Sequence, residues 1–486
     1  MDFLPVLSDS AQAFWRTSYG LLLFLTLLLT LPASKWFFRS EKWGGYAESS
    51  PTVDVVQNPF VHPLLMGLWF TCATMLMLGR DTVLFALINL ALCWYFFIYM
   101  RWRGILRGMG APGFMCYWMG AAVLFLEAGR HLDPSGRLLT AGLFAFQVDY
   151  AIIQMCAGSY KLRAGYPRNE GMQLGMANPW WGYYWRFFKN LDYTHPLYVF
   201  LNQSAYLTQI GAAFLMLYPP TRLVGAAIIM ASFVFILTQI RLGVLCEMVI
   251  IGGLLFIPAG GVVDGWVTRL MGHPQVPQSL PQLPLWLATG LAAFFCVYIA
   301  ILPFAKFGQW YNFLARKRLP EPLQTFLEKW TNAFGIIIWR VFSVDVVNFF
   351  VRVYQVDDQG REQEYTCFGK IDWHTRWRYI HVGEFVCFAS IFTTLKYHPS
   401  NSDMFRAKLV RYARTIPCPA GGKLRFAYFS LARGQGEIEH HHSADFLVEP
   451  HSGHLEVRQY DDLDLSKGHA VSPVHEGARP GTYAPA

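Results

Sequence analysis

The sequence predicts an α-helical polytopic membrane bundle of about eight or nine transmembrane helices, with a small C-terminal α+β (β-rich) domain outside the membrane. Apolar residues make up 54% of the 486 residues and charged residues only 15%, against about 25% charged in soluble domains. Apolar runs of membrane length recur as far as residue 305, and shorter, strand-like runs follow. We therefore expect a transmembrane domain (1–305), an amphipathic or interfacial connector (306–345), an extramembrane α+β domain (346–459) and a disordered tail (460–486).

The first 305 residues contain the predicted membrane helices. A helix that crosses the hydrocarbon core needs about 20 mostly apolar residues. Nine runs approach this length: 14–33, 59–78, 82–100, 111–128, 138–156, 196–218, 223–240, 244–263 and 283–302. Pro219 and Pro220 predict a hairpin between the sixth and seventh runs, because proline cannot continue a helix. The eighth run contains two adjacent glycines and Pro258, which predict a kinked or short helix.

The basic residues predict the orientation of the bundle. The connections after the first, third, fifth, seventh and ninth runs hold sixteen Lys and Arg, and the alternate connections hold five. Cytoplasmic loops are rich in Lys and Arg. We therefore expect a multi-pass protein of the cell inner (cytoplasmic) membrane with its N-terminus outside and its C-terminal domain in the cytoplasm. The net charge of +8 follows from these loops, and no basic run indicates nucleic acid.

The C-terminal third changes from long apolar runs to mixed strand and helix patterns. Residues 348–356 alternate like a strand, a turn signal follows at 357–360, and 362–368 can return as a second strand. Residues 381–395 and 405–415 are typical of helices, and 424–431 of a further strand. Proline, glycine and histidine replace large apolar residues after 460, so the tail is expected to be disordered.

Cysteine and histidine patterns restrict the cofactors. The chain contains no CxxC or CxxCH motif, so covalent haem is not expected. Three histidines stand together at 440–442 beside Glu437 and Glu439, but neighbouring strand residues point to opposite faces. Fewer than the four ligands of a structural zinc site converge there, and no metal site is predicted. A quinone or another lipid-soluble molecule stays open as a ligand.

The end of the fifth apolar run carries the most informative motif. Residues 157–162 read Ala-Gly-Ser-Tyr-Lys-Leu, and a glycine- and tryptophan-rich run, 172–185, follows them. Lys161 therefore lies between lipid and an aromatic-rich turn. Such a lysine is either an anchor whose ammonium reaches the membrane surface or a working amine.

This motif, together with Gly-Met at 171–172 and Asn-Pro-Trp-Trp at 178–181, resembles the membrane domain of vitamin K-dependent γ-carboxylases. It is similar also to their bacterial relatives, the horizontally transferred transmembrane (HTTM) proteins. The resemblance extends over most of 81–448 and implies their helical bundle and a β-rich region after it. It also implies that Lys161 corresponds to the carboxylase lysine that responds to the vitamin K base. The carboxylases place that lysine on the lumenal side, whereas the charge count places Lys161 in the cytoplasm.

The chain departs from the carboxylases at their histidines. No histidine lies between His131 and His195, and none stands near 233–242, where the family has one in a late helix. The absent histidines favour a structural or accessory subunit of a membrane complex, with membrane lipids and other subunits as partners. The alternative is a membrane enzyme that acts on a quinone-type or other lipid-soluble substrate, with Lys161 as acid or base.

Seven residues are candidates for a site. Carboxylates inside a membrane are costly and usually face a bundle interior or a water-filled cavity. The acid–base candidates are Lys161, Asp149 and Glu127. Candidates for a substrate or lipid pocket are Trp180, Trp181, Tyr184 and Trp185. The alternative reading makes the carboxylates structural hydrogen-bonding groups and the aromatic residues an interfacial belt.

Overall fold

A computed structural model shows a mostly helical protein with one antiparallel sheet near its C-terminus. It describes residues 4–31, 34–100, 103, 110–272, 281–315, 319–331, 333–334, 347–365, 387–395, 402–419, 421–434 and 436–460. Of the predicted tail 460–486 only Tyr460 is described, and it is ordered, because its hydroxyl donates to Asp445 Oδ2 at 2.6 Å; 461–486 lie outside the described residues. Of the predicted strand 362–368 and helix 381–395, the parts 362–365 and 387–395 are described.

Helices of very different lengths make up the chain before the sheet. They are α1 (Asp9–Thr30), α2 (Ser34–Phe38), α3 (Pro51–Val56), α4 (Val61–Leu78), α5 (Thr82–Cys93), α6 (Gly110–His131), α7 (Arg137–Arg163), α8 (Gln173–Ala177), α9 (Trp185–Lys189), α10 (Pro196–Leu217), α11 (Arg222–Gln239), α12 (Leu245–Gly253), α13 (Val262–Met271), α14 (Leu285–Ala315) and α15 (Glu321–Thr331).

Six of the described helical segments are long and apolar enough to cross a membrane. They are α1, α4, α5 with the π-helical turn after it, α7, α11 with the turn before it, and most of α14. A helical membrane protein is thus supported, while eight or nine crossings stay a prediction. The fourth and sixth predicted runs form α6 and α10, each 22 residues long. The eighth run forms only the short α12 and a 3₁₀ turn, as its glycines predict.

The connections after α1, α5, α7 and α11 gather at one end of the bundle, here called the loop end. Glu48, after α1, donates its backbone N–H to the Arg103 carbonyl, after α5, at 2.8 Å. Arg241, after α11, donates from its guanidinium to the Pro179 carbonyl, after α7, at 2.7 Å. The C-terminal region joins the same end, since the Trp36 indole donates to the Thr415 hydroxyl at 2.8 Å.

The N-terminus and α13 lie at the opposite end. The Ala259 N–H donates to the Val6 carbonyl at 3.2 Å, and the Ser8 hydroxyl bonds the Asp264 carboxylate. Leu283, just before α14, donates its backbone N–H to the Leu132 carbonyl at 2.8 Å, so α14 starts at this end.

Among the residues that the structure describes, five antiparallel strands form the sheet in the order β2-β1-β3-β4-β5. They are β1 (Phe349–Val356), β2 (Glu362–Tyr365), β3 (Lys423–Arg433), β4 (Ile438–Glu449) and β5 (His454–Gln459). One face of the sheet is covered by the helical segment 387–395 and by α16 (Ser402–Ala413). Phe392 packs on Phe349, Tyr428 and Phe446 there, so the sheet has an aromatic core.

The described residues between 306 and 334 continue the bundle. The proposed boundary at 305 lies within α14, which continues to Ala315. α15 then turns back along α14, and the Trp330 indole donates to the Tyr298 carbonyl at 3.4 Å. Phe334 follows and packs between Phe146 and Tyr298, with ring centroids 5.0 and 4.9 Å away. This described part of the connector therefore contacts the interior aromatic residues of α7 and α14.

The two ends of the bundle can be distinguished by chemical labelling. In the variants Ser49→Cys and Asn190→Cys the new thiol lies at the loop end, and in Ser135→Cys it lies at the opposite end. We expect a membrane-impermeant maleimide to label the first two from one side of sealed vesicles and the third from the other. Labelling of the parent protein is subtracted, because the chain has its own free thiols. Labelling of all three from the same side would contradict this arrangement.

Candidate functional site

Lys161 lies in the last turn of α7, where α7 and α10 approach closely. A Cβ atom at Gly158 would lie 2.6 Å from Ile210 Cγ1, so only glycine permits this approach. The Lys161 side chain is consequently buried, with 5% of its surface exposed. Its Nζ donates to Gln209 Oε1 at 2.6 Å and lies 5.8 Å from the centre of the Tyr166 ring. The amine therefore points between two helices and not toward the membrane surface.

Two glutamines continue a polar stripe from Lys161 along α7. Gln147, Gln154 and Lys161 are seven residues apart, which places them on one face of the helix. Gln209 Nε2 donates to Gln154 Oε1 at 3.4 Å, and Gln147 Nε2 donates to the Leu255 carbonyl at 2.8 Å. These bonds tie α7 to α10 and to the turn after α12. The stripe thus holds neighbouring helices together across much of the bundle.

Asp149 lies on a different face of α7 among aromatic side chains. Its Oδ2 accepts hydrogen bonds from the Trp118 indole at 2.9 Å and from the Tyr298 hydroxyl at 3.3 Å. Lys306, also buried, is near enough to act on the carboxylate electrostatically. Asp149 therefore connects α6, α7 and α14.

Glu127 forms a third, separate polar centre in α6. Its carboxylate accepts from Arg16 at 3.0 Å and from Gln12 Nε2 at 2.8 Å, and it lies 3.4 Å from His131 Nε2. The ion pair with Arg16 is almost completely buried on the carboxylate side. This network joins α1 to α6 and satisfies a charge that would otherwise be costly inside the bundle.

The structure thus does not assemble the three acid–base candidates into one centre. Asp149 and Lys161 are twelve residues apart on the same helix, a rise of about 18 Å at 1.5 Å per residue. Each candidate has its own partners on other helices, so none of the three orients or protonates another. What they share is burial between helices.

The four aromatic residues predicted to form a pocket lie in two different environments. Trp180 and Trp181 are buried, whereas Tyr184 is exposed and Trp185 is half-buried. Trp180 stacks on Phe388 at 5.6 Å and meets the Phe349 ring edge-to-face at 5.7 Å. Its ring therefore lies against the sheet and its covering helix. Among the described residues, the ring that lies near the Lys161 amine is that of Tyr166 and not one of the four predicted aromatic residues.

Asn178 connects the bundle to the sheet. Its Nδ2 donates to the Val347 and Phe349 carbonyls, both at 2.8 Å, and its Oδ1 accepts the Trp180 N–H at 2.8 Å. The side chain is completely buried. One amide therefore fixes both the start of β1 and the turn that places Trp180. We call residues 178–182, with Arg241, the joint.

Arg241 and Asn202 hold this loop from the membrane helices. Arg241 is buried, and its guanidinium lies 4.7 Å from the centre of the Tyr183 ring as well as bonding the Pro179 carbonyl. Asn202 of α10 accepts the backbone N–H groups of Gly171 and Met172, both at 3.0 Å. The loop between α7 and α10 is therefore tied to α10, α11 and the sheet.

Trp185 contacts the outer face of the sheet. Its ring centroid is 5.8 Å from that of His440 in β4, and His440 meets Phe350 of β1 at 5.1 Å. Of the three adjacent histidines, His441 pairs with Glu439 at 3.0 Å and His442 with Asp445 at 2.8 Å. Within the described ranges, no group of three or more His, Cys, Asp or Glu residues could hold a metal ion.

Comparisons of the chain with family models, with curated proteins and with solved structures find no match.

The sequence indicated Lys161, Asp149 and Glu127 but did not assign their partners. The spacing of seven residues that relates Gln147, Gln154 and Lys161 could have shown the stripe. The role of Asn178 had no such signal, because its two acceptors are backbone carbonyls 169 and 171 residues away.

The joint can be tested by removing its amide. Asn178→Ala removes three buried hydrogen bonds, two to the start of β1 and one from the Trp180 N–H, each worth about 1 kcal/mol. We expect an unfolding free energy lower by about 3 kcal/mol, and faster release of the C-terminal region by limited proteolysis. Asn190→Ala, at an exposed position of the same loop, is the control and should behave like the parent. Equal proteolysis of both variants would show that Asn178 does not hold the sheet.

The contact between Trp185 and His440 predicts a dependence of stability on pH. Burial, with a smaller effect from the positive charge of Lys189, lowers the pKa of His440 from 6.5 to about 4. The unfolded chain thus binds this proton more tightly, so stability falls as the pH drops from about 6.5 toward about 4. We expect the Tm in detergent to fall more steeply over this window in the parent than in His440→Phe. His454→Gln, at an exposed position, is the control; an unchanged slope in His440→Phe would contradict the assignment.

Proposed function

We propose that the protein is a structural or accessory subunit of a membrane complex. In this proposal a helical bundle anchors the chain and holds an extramembrane α+β module in a fixed position at its loop end. The observation that carries the proposal is the joint, where the buried Asn178 amide and the Trp180 ring connect the bundle to the sheet. A rigid connection of this kind suits a protein that presents a surface to neighbouring subunits.

The polar groups inside the bundle support the same function. Glu127, Asp149 and Lys161 each bond side chains of other helices. Such bonds fix how helices pack, because polar groups in a membrane find their partners within the protein. None of the three lies beside another in the manner of a nucleophile and its base.

The resemblance to HTTM proteins fits this proposal, with eight or nine crossings completed by α6, α10 and the short α12. The sixteen-to-five excess of basic residues supports an orientation in which the loop end and the sheet face the cytoplasm. The membrane is then the cell inner membrane.

The buried amine of Lys161 favours a second candidate, a membrane enzyme that acts on a quinone-type or lipid-soluble substrate. A lysine that works as acid or base must be held away from bulk water, and its Nζ has a neutral amide partner in Gln209. The enzyme would use this amine near the loop end of α7.

Two variants separate these functions. Lys161→Met removes the amine and leaves Gln209 Oε1 without this donor, whereas Lys161→Met with Gln209→Leu replaces both partners by apolar groups. For a structural lysine we expect the single variant to lose about 1–3 kcal/mol and the double variant to recover only part of it, because Gln209→Leu also removes the 3.4 Å bond to Gln154. Both would still assemble with the subunits that co-purify with the parent in mild detergent.

The measurements are thermal unfolding, the subunits identified by mass spectrometry, and growth of cells that depend on the protein. A parent protein that purifies without stoichiometric partners would contradict the accessory-subunit proposal. A Lys161→Met variant that folds and assembles normally but no longer supports growth would favour the enzyme, because only the amine was then lost.

A further inference from the structure

The loop end carries an aromatic and basic surface that the joint does not use. It is formed by the exposed side of α9 and the adjacent outer face of the sheet, and its principal members are Tyr184, Phe187, Lys189 and Arg352. We call it the α9 surface. Tyr184 and Phe187 expose 47% and 55% of their surface, although both are large aromatic residues.

The position of α9 places this surface near the membrane boundary. α9 ends at Lys189, shortly before α10 begins at Pro196. The Tyr198 hydroxyl in the first turn of α10 donates to the Phe188 carbonyl at 2.6 Å, and Phe188 is buried against Tyr198. α9 is therefore held at the loop-end terminus of α10, a 22-residue helix. In the arrangement proposed above α10 crosses the membrane, so α9 would lie at the level of the lipid headgroups.

A row of packed rings connects α9 to Arg352, the basic residue that the sheet contributes to this surface. Trp185 meets His440 at 5.8 Å, and His440 meets Phe350 at 5.1 Å. Phe350 stacks on Phe429 at 4.9 Å, and the Arg352 guanidinium lies over both rings, 5.9 and 5.7 Å from their centres. The guanidinium is exposed beside this row of rings and faces outward from the sheet.

The charge balance of the α9 surface is positive. Lys189 and Arg352 both lie near enough to His440 to act on it electrostatically. Among the described residues, neither forms an ion pair with a carboxylate. Asp445, on the same face of the sheet as Arg352, is paired with Arg425 at 3.0 Å and with His442 at 2.8 Å. Arg186, whose guanidinium lies 5.4 Å from the centre of the Trp185 ring, adds a third cation.

We propose that the α9 surface binds the headgroup of an anionic phospholipid, with Lys189 and Arg352 on the phosphate and with Tyr184 and Phe187 in the acyl boundary. Basic residues near a membrane attract anionic lipids, and aromatic residues beside them enter the interface. One lipid then contacts both α9 and β1, so it holds the sheet close to the membrane surface.

The test uses the full-length protein in detergent and native mass spectrometry with added dioleoyl phosphatidylglycerol or dioleoyl phosphatidylcholine. The site variant is Lys189→Gln with Arg352→Gln. The control, Lys423→Gln with Arg361→Gln, removes the same charge from residues that are ion-paired with Glu449 and Asp357. We expect the parent and the control to bind phosphatidylglycerol more tightly than phosphatidylcholine. We expect the site variant to bind phosphatidylglycerol more weakly than the parent by a factor on the order of 30.

Three results would overturn the proposal. The first is equal binding of phosphatidylglycerol by the site variant and the control. The second is an equal loss of phosphatidylcholine binding, which would show that charge is not recognised. The third is binding of inorganic phosphate to the parent at the same residues, without displacement of the phosphate by phosphatidylglycerol. The ligand would then be a soluble anion and not a lipid.

A second variant keeps the test valid if the charge variant folds poorly. Phe187→Ser with Tyr184→Ser leaves both cations in place and removes only the exposed aromatic contacts. We expect this variant to keep its preference for phosphatidylglycerol over phosphatidylcholine while its affinity for both lipids falls. An unchanged affinity would contradict insertion of these rings into the acyl boundary.

Discussion

The amide of Asn178 is the contact on which the arrangement of the two parts depends. It donates to two carbonyls at the start of β1 and accepts the N–H that sets the following turn. A buried amide that loses such partners costs more than the bonds contribute, because its polar atoms are left without water. Asn178 therefore anchors the start of β1 to the loop between α7 and α10, and the Trp36–Thr415 bond and the Trp180 ring support the same placement of the sheet. Arg241 and Asn202 then fix that loop to α11 and α10.

Inside the bundle, charged groups likewise need partners within the protein because water is absent. Glu127 is compensated by Arg16, and Asp149 accepts from Trp118 and Tyr298. Lys161 reaches Gln209 because Gly158 lets α10 approach. These contacts connect different helices, so the polar residues act as cross-links at separate positions. This distribution is the reason that an accessory role agrees with the geometry better than a single reaction centre does.

The loop end differs from the opposite end in what its surfaces can contact. Near the N-terminus, α13 exposes the apolar residues Val262, Trp266 and Leu270 at a spacing of four and buries Asp264 and Val267. At the loop end, exposed aromatic residues stand beside cations. Because Lys and Arg favour the side with anionic headgroups, the two ends suit different environments. The excess of basic residues lies in the connections after α1, α5, α7 and α11, at the same end of the bundle as the sheet.

The sequence by itself determined a helical membrane bundle followed by strands, because apolar runs and period-two alternation depend on neighbouring residues. It also showed that the eighth run is short, since Gly252, Gly253 and Pro258 act locally. Only the tertiary structure decided that Lys161 is buried, that Trp180 packs on the sheet and that Phe334 reaches the interior of the bundle. These outcomes depend on residues that are far apart in sequence: Ile210 beside Gly158, Phe388 beside Trp180, and Phe146 beside Phe334. The chemistry of a side chain decides whether it needs a hydrogen-bond partner or burial. The packing of distant helices and strands decides which residues bond it or cover it.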